Sequence, residues 1–487
     1  MNPHVDFHAF APELVLTATI IVVLIADLVW PERSRFASSR IASIGVLAAL
    51  IPVITLAADG TDRVLFGGAF VVDAYALAFE GFFLVVTYVV LLMSSDYISD
   101  GDYYQGEYYF LMLTSVLGMM AMASARDLVS IFVALETITI PTFVLAGWRK
   151  HDSKSNEAAI KYFIIGVLSS AIMLYGMSIV FGETGGSTLL SHIFRHIDRF
   201  GTSTLLAVAI FLTIGGFAFK ISAVPFHFWT PDTYEGAPTP VTAFLSTASK
   251  AGGFVALLTV IRFGFFPSQD SWEPVLWVLA AASIIYGNLV ALRQTNIVRM
   301  LAYSSIAQGG FILVPLAVAG DGGAALVSFE AVLIYLFIYA AMNLGAFAVV
   351  IAVARRTGSG EIDSYAGLGQ TSPGLAVSMT IFLFSLAGIP PFAGWFAKFV
   401  MFRAVLDANS PSAIVLGVIA TLGSVVAFFY YAAVARQMWF HDPAPEAAAS
   451  PKAVPAALTL AIGLTVTFTV VVGVYPQIIA RIGELAF

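Results

Sequence analysis

Residues 219–251 read FKISAVPFHFWTPDTYEGAPTPVTAFLSTASKA. Long apolar runs flank the stretch, yet it holds Lys220, Lys250, His227, Asp232, Glu235 and four prolines. A lysine at the centre of a bilayer costs about 2.5–3.5 kcal/mol on insertion scales, and ionisable groups kept there usually mark ion paths. Two of them at mid-helix positions need an explanation. The stretch predicts proton sites in an ion-translocating membrane protein.

Composition agrees. Of 487 residues, 59% are hydrophobic and only 11% charged, with a mean hydropathy of +0.90. A soluble domain carries about 25% charged residues, so lipid is the expected solvent. The chain has no cysteine, which excludes thiolate iron–sulfur ligation, c-type haem attachment and disulfides. His4, His8, His151, His192, His196 and His441 fall in expected termini or loops; His227 alone lies in a span, which excludes a bis-histidine haem within the membrane. No Walker A or dinucleotide glycine fingerprint is present, so the chain has no visible means of using ATP, NAD or electrons by itself. The start, MNPHVDFHAFAPE, lacks the positive region of a cleavable signal.

Apolar runs long enough to cross about 30 Å of hydrocarbon predict an all-α polytopic membrane protein of about fourteen transmembrane helices. They fall near 13–30, 39–58, 72–93, 107–124, 127–147, 157–181, 204–230, 240–262, 272–292, 297–318, 328–353, 374–406, 413–434 and 453–476. No loop is long enough for a soluble domain, so residues 1–487 are expected to form one integral membrane domain. The patch SHIFRHIDRF, within the loop 181–204, reads as an interfacial segment, and the tyrosine-rich DYISDGDYYQGEYY as an interface belt. Loops after odd-numbered helices hold twelve basic residues, among them Arg33, Arg35 and Lys452, against seven after even-numbered ones. By the positive-inside rule both termini lie outside, in the periplasm of a Gram-negative cell. The other four basic residues, Lys161, Lys220, Lys250 and Lys398, fall inside predicted spans.

PFHFW at 225–229 is echoed by PFAGW at 391–395, 166 residues later. The same offset carries the start of helix 4 onto the start of helix 9. Helices 4–8 (107–262) and 9–13 (272–434) therefore read as two five-helix repeats, preceded by helices 1–3 (1–106) and followed by a loop and helix 14 (435–487). Five is odd, so the repeats are inverted, as in many transporters that bind at broken helices near the midplane. Each repeat carries a proline break; proline lacks an N–H and clashes with the preceding turn, and the carbonyls it frees need water, side chains or protein.

The candidate site residues follow. Glu136 lies mid-span with no basic residue near it in its own helix, and intramembrane charges usually pair. Lys220, five residues before Pro225, is too deep for easy escape to a surface. Burial favours a neutral lysine and a nearby carboxylate a charged one, so a movable Glu136–Lys220 pair would load and release a proton. Lys250 sits among Thr242, Ser246, Thr247 and Ser249, hydroxyls suited to holding water. His227 lies between the two lysines in sequence and has the unperturbed pKa of a relay. Lys398, seven residues after Pro391, is the repeat counterpart of Lys220. Lys161, one turn into helix 6, is a weaker candidate with room to snorkel. Glu80 is intramembrane without a visible partner. Asp27 and Glu330 read as interfacial. Asp232 and Glu235 read as loop residues that gather protons or cap a helix.

The run KISAVPFHFWTPDTYEGAPTPVTAFLSTASK resembles the helix 7–8 signature of the antiporter-like subunits of respiratory NADH:quinone oxidoreductase, complex I. RMLAYSSIAQGGFIL, YAAMNLGAFAVV and SLAGIPPFAGWFAKF resemble the same family in helices 10, 11 and 12. Within it the chain is most similar to the N type of the bacterial enzyme, having fourteen expected helices, no long lateral C-terminal helix, and lysine rather than glutamate at 398. The resemblance implies two half-channels, one per repeat, joined by a central polar axis. Glu136 and Lys220 would be the coupled switch, His227 a relay, Lys250 the central relay and Lys398 the exit-side site. It implies no cofactor on this chain; FMN, iron–sulfur clusters, NADH and quinone would be handled by other subunits. The implied partners are neighbouring antiporter-like subunits, small membrane subunits and the lipid bilayer, with no nucleic acid. The implied location is the bacterial inner membrane. A stand-alone multi-subunit cation/proton antiporter shares these features and is the alternative, followed by a purely structural anchor and a solute carrier.

Overall fold

The computed structural model describes residues 6–29, 34–101, 106–321, 323–443 and 453–487. Arg33, Lys452, the Arg35 side chain, the middle of the tyrosine-rich stretch and most of the 443–451 loop lie outside them.

The chain is helical almost throughout. The helices are α1 (Ala11–Val29), α2 (Ser34–Asp59), α3 (Ala74–Ser99), α4 (Gly106–Ser124), α5 (Leu128–Ala146), α6 (Ser153–Glu183), α7 (Leu190–Phe200), α8 (Thr204–Lys220), α9 (Trp229–Gly236), α10 (Thr239–Phe244), α11 (Lys250–Val260), α12 (Gln269–Ala291), α13 (Ile297–Leu316), α14 (Ala325–Thr357), α15 (Leu368–Thr371), α16 (Pro373–Ala387), α17 (Gly394–Ala408), α18 (Pro411–Phe440), α19 (Ala456–Val474) and α20 (Gln477–Ala486). Local chemistry marks their starts. Side-chain oxygens of Asp73, Asp127, Asp152, Ser203, Asn296 and Ser410 accept from the free first-turn N–H groups of α3, α5, α6, α8, α13 and α18.

Among the described residues, ten helical runs are long and apolar enough to cross a membrane. The sequence suggested fourteen, and the difference has physical causes. The two proline-broken helices begin with halves, Thr204–Lys220 and Pro373–Ala387, too short to count. Thr239–Ala291 is one continuous run over two expected helices. The helix α4 opens on Glu107 and two tyrosines, which dilute its hydropathy.

Contacts sort the connections onto two faces. On one, β1 (Arg63–Leu65) pairs antiparallel with β2 (Phe70–Val72), Phe70 bridges to Ala125, and Asp127 to Leu189. Arg63 pairs there with Asp6, and Phe487 packs edge-on against Tyr75, so the two ends of the described chain share this face. On the other, Asn296 bridges to Glu361, Arg355 pairs with Asp100 and Lys154 with Glu235. The interfacial patch is the helix α7, which buries Leu190, Ile193 and Ile197 on one side.

The centre of the bundle is α14, the most buried of the spanning runs among the described residues; it packs against α10, α13, α16, α17 and α19. Around it lie the two breaks. After Lys220 the chain passes Ser222 at φ 61° and a cis Val224–Pro225 bond before α9. After Ala387 it passes Gly388 at φ 92° and a cis Pro390–Pro391 bond before α17. The second crossing is tight: a Cβ on Gly394 would stand 1.7 Å from the Ser385 carbonyl oxygen. Between α10 and α11 the segment Leu245–Ser249 is π-helical, a local widening often found at functional sites. It delivers Lys250.

Candidate functional site: a buried file of lysines and hydroxyls

Lys220, Lys250 and Lys398 are 2%, 1% and 6% exposed. The bundle holds them among α5, α6, α11, α13, α14, α16 and α17. None has a carboxylate within ion-pairing distance among the described residues; oxygen of other kinds takes each ammonium.

The Lys220 Nζ donates to Thr139 Oγ1 at 2.9 Å and to the Tyr162 hydroxyl at 3.2 Å. Glu136 is one turn before Thr139 on α5, but its carboxylate accepts from Ser170 Oγ at 2.5 Å. The expected Glu136–Lys220 pair is thus parted here, Glu136 held by Ser170 and Lys220 by the hydroxyls of Thr139 and Tyr162. Tyr162 also bonds Thr142 at 3.2 Å and stacks on Trp229 with centroids 4.3 Å apart, so α9 fixes its ring. Ser249, the residue before Lys250, lies beside the Tyr162 hydroxyl. The Lys220 stem crosses α11 at Gly253, where an added Cβ would stand 2.9 Å from Lys220 Cγ. The first two lysines are therefore neighbours.

Lys250 Nζ donates to the Ser305 carbonyl at 2.8 Å and to Ser305 Oγ at 2.5 Å. Tyr339 donates to the same Oγ at 2.9 Å. The hydroxyls expected around Lys250 face elsewhere. Thr242 donates to the Tyr234 carbonyl, and Ser246 and Thr247 to that of Ala243; short polar side chains compete for nearby backbone in this way. Ser246 in turn accepts from Asn343 at 2.8 Å.

Lys398 reaches back across the second break to the Ala387 carbonyl at 2.8 Å. In an unbroken helix that carbonyl would accept from residue 391, but Pro391 has no N–H. The lysine supplies the missing donor. Its Nζ lies 4.9 Å from the Phe311 ring centroid.

The other candidates fall away from this file. His227 is 3% exposed and packs its ring on Tyr286 and Phe228. No hydrogen bond among the described residues joins it to Lys220 or Lys250. Lys161 has a side chain 42% exposed and pairs with Glu157 and Asp232, both at 2.6 Å. Asp232 and Glu235 lie in the helix α9 instead of a loop, and Arg299 of α13 ties them at 3.0 and 2.7 Å. With Lys154 and Glu157 they line a 220 Å³ polar cavity on the face away from the chain ends. Burial alone would raise the Asp232 and Glu235 carboxyls. Hydrogen bonds from Lys161 and Arg299 to the first, and from Arg299 and Lys154 to the second, outweigh it and hold both below the ordinary carboxylate range. Glu80 is buried and accepts from Ser124 at 2.8 Å. Asp27, read as interfacial, is 3% exposed.

Sequence reasoning missed Thr139, Tyr162, Ser305, Tyr339 and Gln308. Only the run SSIAQ in a strongly apolar helix signalled any of them.

Known proteins share this architecture. A family model described as NADH:quinone oxidoreductase/Mrp antiporter, TM, matches residues 125–424. NADH-quinone oxidoreductase subunit N of Desulforamulus reducens is 41% identical over 481 residues, covering 99% of this chain and 98% of that protein. NAD(P)H-quinone oxidoreductase subunit 2 of a Picosynechococcus species is 42% identical, covering 94% of this chain and 85% of that one. A chain of respiratory complex I from Thermus thermophilus with bound aureothin superposes with a TM-score of 0.77 at 28% identity, over 96% of this chain and 98% of that one. Its buried lysines, twin helix breaks and these matches together make this chain a multi-pass member of the NADH:quinone oxidoreductase/Mrp antiporter membrane family.

Proposed function

We propose that the chain is the N-type membrane-arm subunit of a bacterial NADH:quinone oxidoreductase and moves protons through the lysine file while electrons travel elsewhere. The observation that carries this is three lysines, each at most 6% exposed, threaded through a bundle whose other faces are greasy. An inert anchor would gain by replacing each with leucine, since desolvating an ammonium costs several kcal/mol. The near end-to-end match to a subunit N favours this reading over a stand-alone antiporter. FMN, iron–sulfur clusters, NADH and quinone belong to other subunits of such a complex, and neighbouring antiporter-like and small membrane subunits are the partners.

Glu136 and Lys220 act as the switch. A charge or movement in a neighbouring subunit draws Glu136 from Ser170 toward Lys220, which then holds its proton more firmly; its return frees the proton for Lys250 and Lys398. The excess of basic residues in one set of loops supports a cytoplasmic location for the charged face of Lys154 and Arg299 and a periplasmic one for both chain ends, across the inner membrane. Helices in 107–262 and 272–434 form the inverted repeats, each contributing one break.

The test is the purified complex in proteoliposomes. Lys220→Ala or Lys250→Ala should cut NADH-driven proton uptake at least tenfold with assembly preserved. Native uptake by a fully assembled variant sinks the proposal, and so does purification of the native chain without redox subunits.

A further inference from the structure

The file has one link of the wrong chemistry. Along one face of α13, Ser305, Gln308 and Phe311 follow at intervals of three residues, about 9 Å of helix axis. Ser305 holds the Lys250 ammonium. The Phe311 ring faces the Lys398 ammonium at 4.9 Å. Gln308 is between them and fully buried. Its Nε2 donates to the Leu386 carbonyl at 3.0 Å and lies 3.4 Å from the Tyr431 hydroxyl. Its Oε1 accepts from the Tyr335 hydroxyl at 2.8 Å. Leu386 precedes Ala387, the residue whose carbonyl Lys398 holds.

A hydroxyl donates and accepts at one atom, so a proton arriving on one side leaves from the other. A primary amide separates the two roles: its oxygen only accepts and its NH2 only donates. Handing a proton on would leave the imidic acid. Gln308 thus satisfies its neighbours and still breaks the path, and Phe311 offers no polar atom beyond it. Tyr335, Tyr431 and Ser304, bonded to Tyr431 at 2.5 Å, complete the collar with hydroxyls that could pass protons were the amide out of the way.

We propose that Gln308 is the gate between the Lys250 and Lys398 sites, an amide plug locked onto Leu386 that bars proton passage until it lets go. The proposal rests on the lysine reading above. Movement of the second break carries Leu386 with it, so the same motion that resets Lys398 opens the plug.

The assembled complex in proteoliposomes tests this by two measurements, NADH-driven uptake and passive proton leak under an imposed pH gradient without NADH. Gln308→Glu places a group there that accepts and donates at the same oxygen, and the leak should rise at least fivefold. Gln308→Leu removes both the bonds and any polar foothold, and uptake should fall at least tenfold without added leak. A native leak in Gln308→Glu, an equal leak in Gln308→Leu, or native uptake in Gln308→Leu overturns the gate. If Gln308→Leu does not assemble, Gln308→Asn replaces it; one methylene too short to hold Leu386, it should leak more than the native complex, and a native leak overturns the gate. Lys250→Ala and Lys398→Ala run alongside. Lost uptake there with a native leak in Gln308→Glu rejects the gate alone, whereas native uptake there rejects the lysine path itself.

Discussion

Thr139 and Tyr162 do for Lys220 what Glu136 was expected to do. A hydrogen bond to a charged group contributes about 1.5–3 kcal/mol, and each 1.36 kcal/mol is tenfold in rate. Thr139→Val keeps the shape and removes the 2.9 Å bond. Proton uptake should fall about tenfold with assembly intact, and native uptake would mean that Lys220 does not rest on Thr139 during turnover. The three lysines and Glu136 are legible in sequence because an ionisable residue inside an apolar run is conspicuous by its cost. Their partners are not. Hydroxyls and tyrosines are ordinary in membrane helices, and these contacts join residues 34 to 81 positions apart. Nearness in sequence to two lysines suggests a relay at His227, and the break turns its ring toward Tyr286.

At the scale of elements, the second break works as one unit made of Pro391, Gly388 and Lys398. The proline leaves Ala387 without a donor, and the glycine opens the turn that lets Lys398 return to it. Gly388 sits at φ 92°, and an added Cβ would stand 2.6 Å from Lys398 Cδ. Gly388→Ala should cost about 1–3 kcal/mol for a side chain in that region and push the lysine off its carbonyl. Gly374, with nothing within 4 Å of an added Cβ, is the matched control. Thermal unfolding of the purified complex and proton uptake should both drop for Gly388→Ala and stay native for Gly374→Ala; two native results would show that the turn tolerates a side chain. The PFxxW echo made both breaks legible. The helix α9 was not, because Pro225, Pro231 and Pro238 in and around it read as a loop, although Pro231 sits in a first turn, where a missing N–H costs nothing. The π segment before Lys250 is likewise invisible to a pattern of apolar residues.

The whole molecule is tied together on the face away from the chain ends. There Lys154 and Lys161 of α6, Asp232 and Glu235 of α9, and Arg299 of α13 form one ionic network that joins the first half of the chain to the second. Its side chains are 23–70% exposed, so each pair contributes under about 1 kcal/mol, and salt weakens it. Both carboxyls are held below their ordinary values. A depressed carboxyl stabilises the folded state above its unfolded pKa, about 3.9 for Asp and 4.3 for Glu, and the gain is lost as pH falls through the folded value. Arg299→Gln removes the link to α13 and leaves each carboxylate one lysine. The unfolding midpoint of the purified complex should therefore lie below native by a fixed margin from about pH 8 to pH 5. That margin should shrink below about pH 4 and narrow in 0.5 M salt. A margin that grows on acidification would mean the network is held by something other than these carboxylates. One that ignores both pH and salt would mean Arg299 acts by packing, and the two halves are joined through the buried file alone.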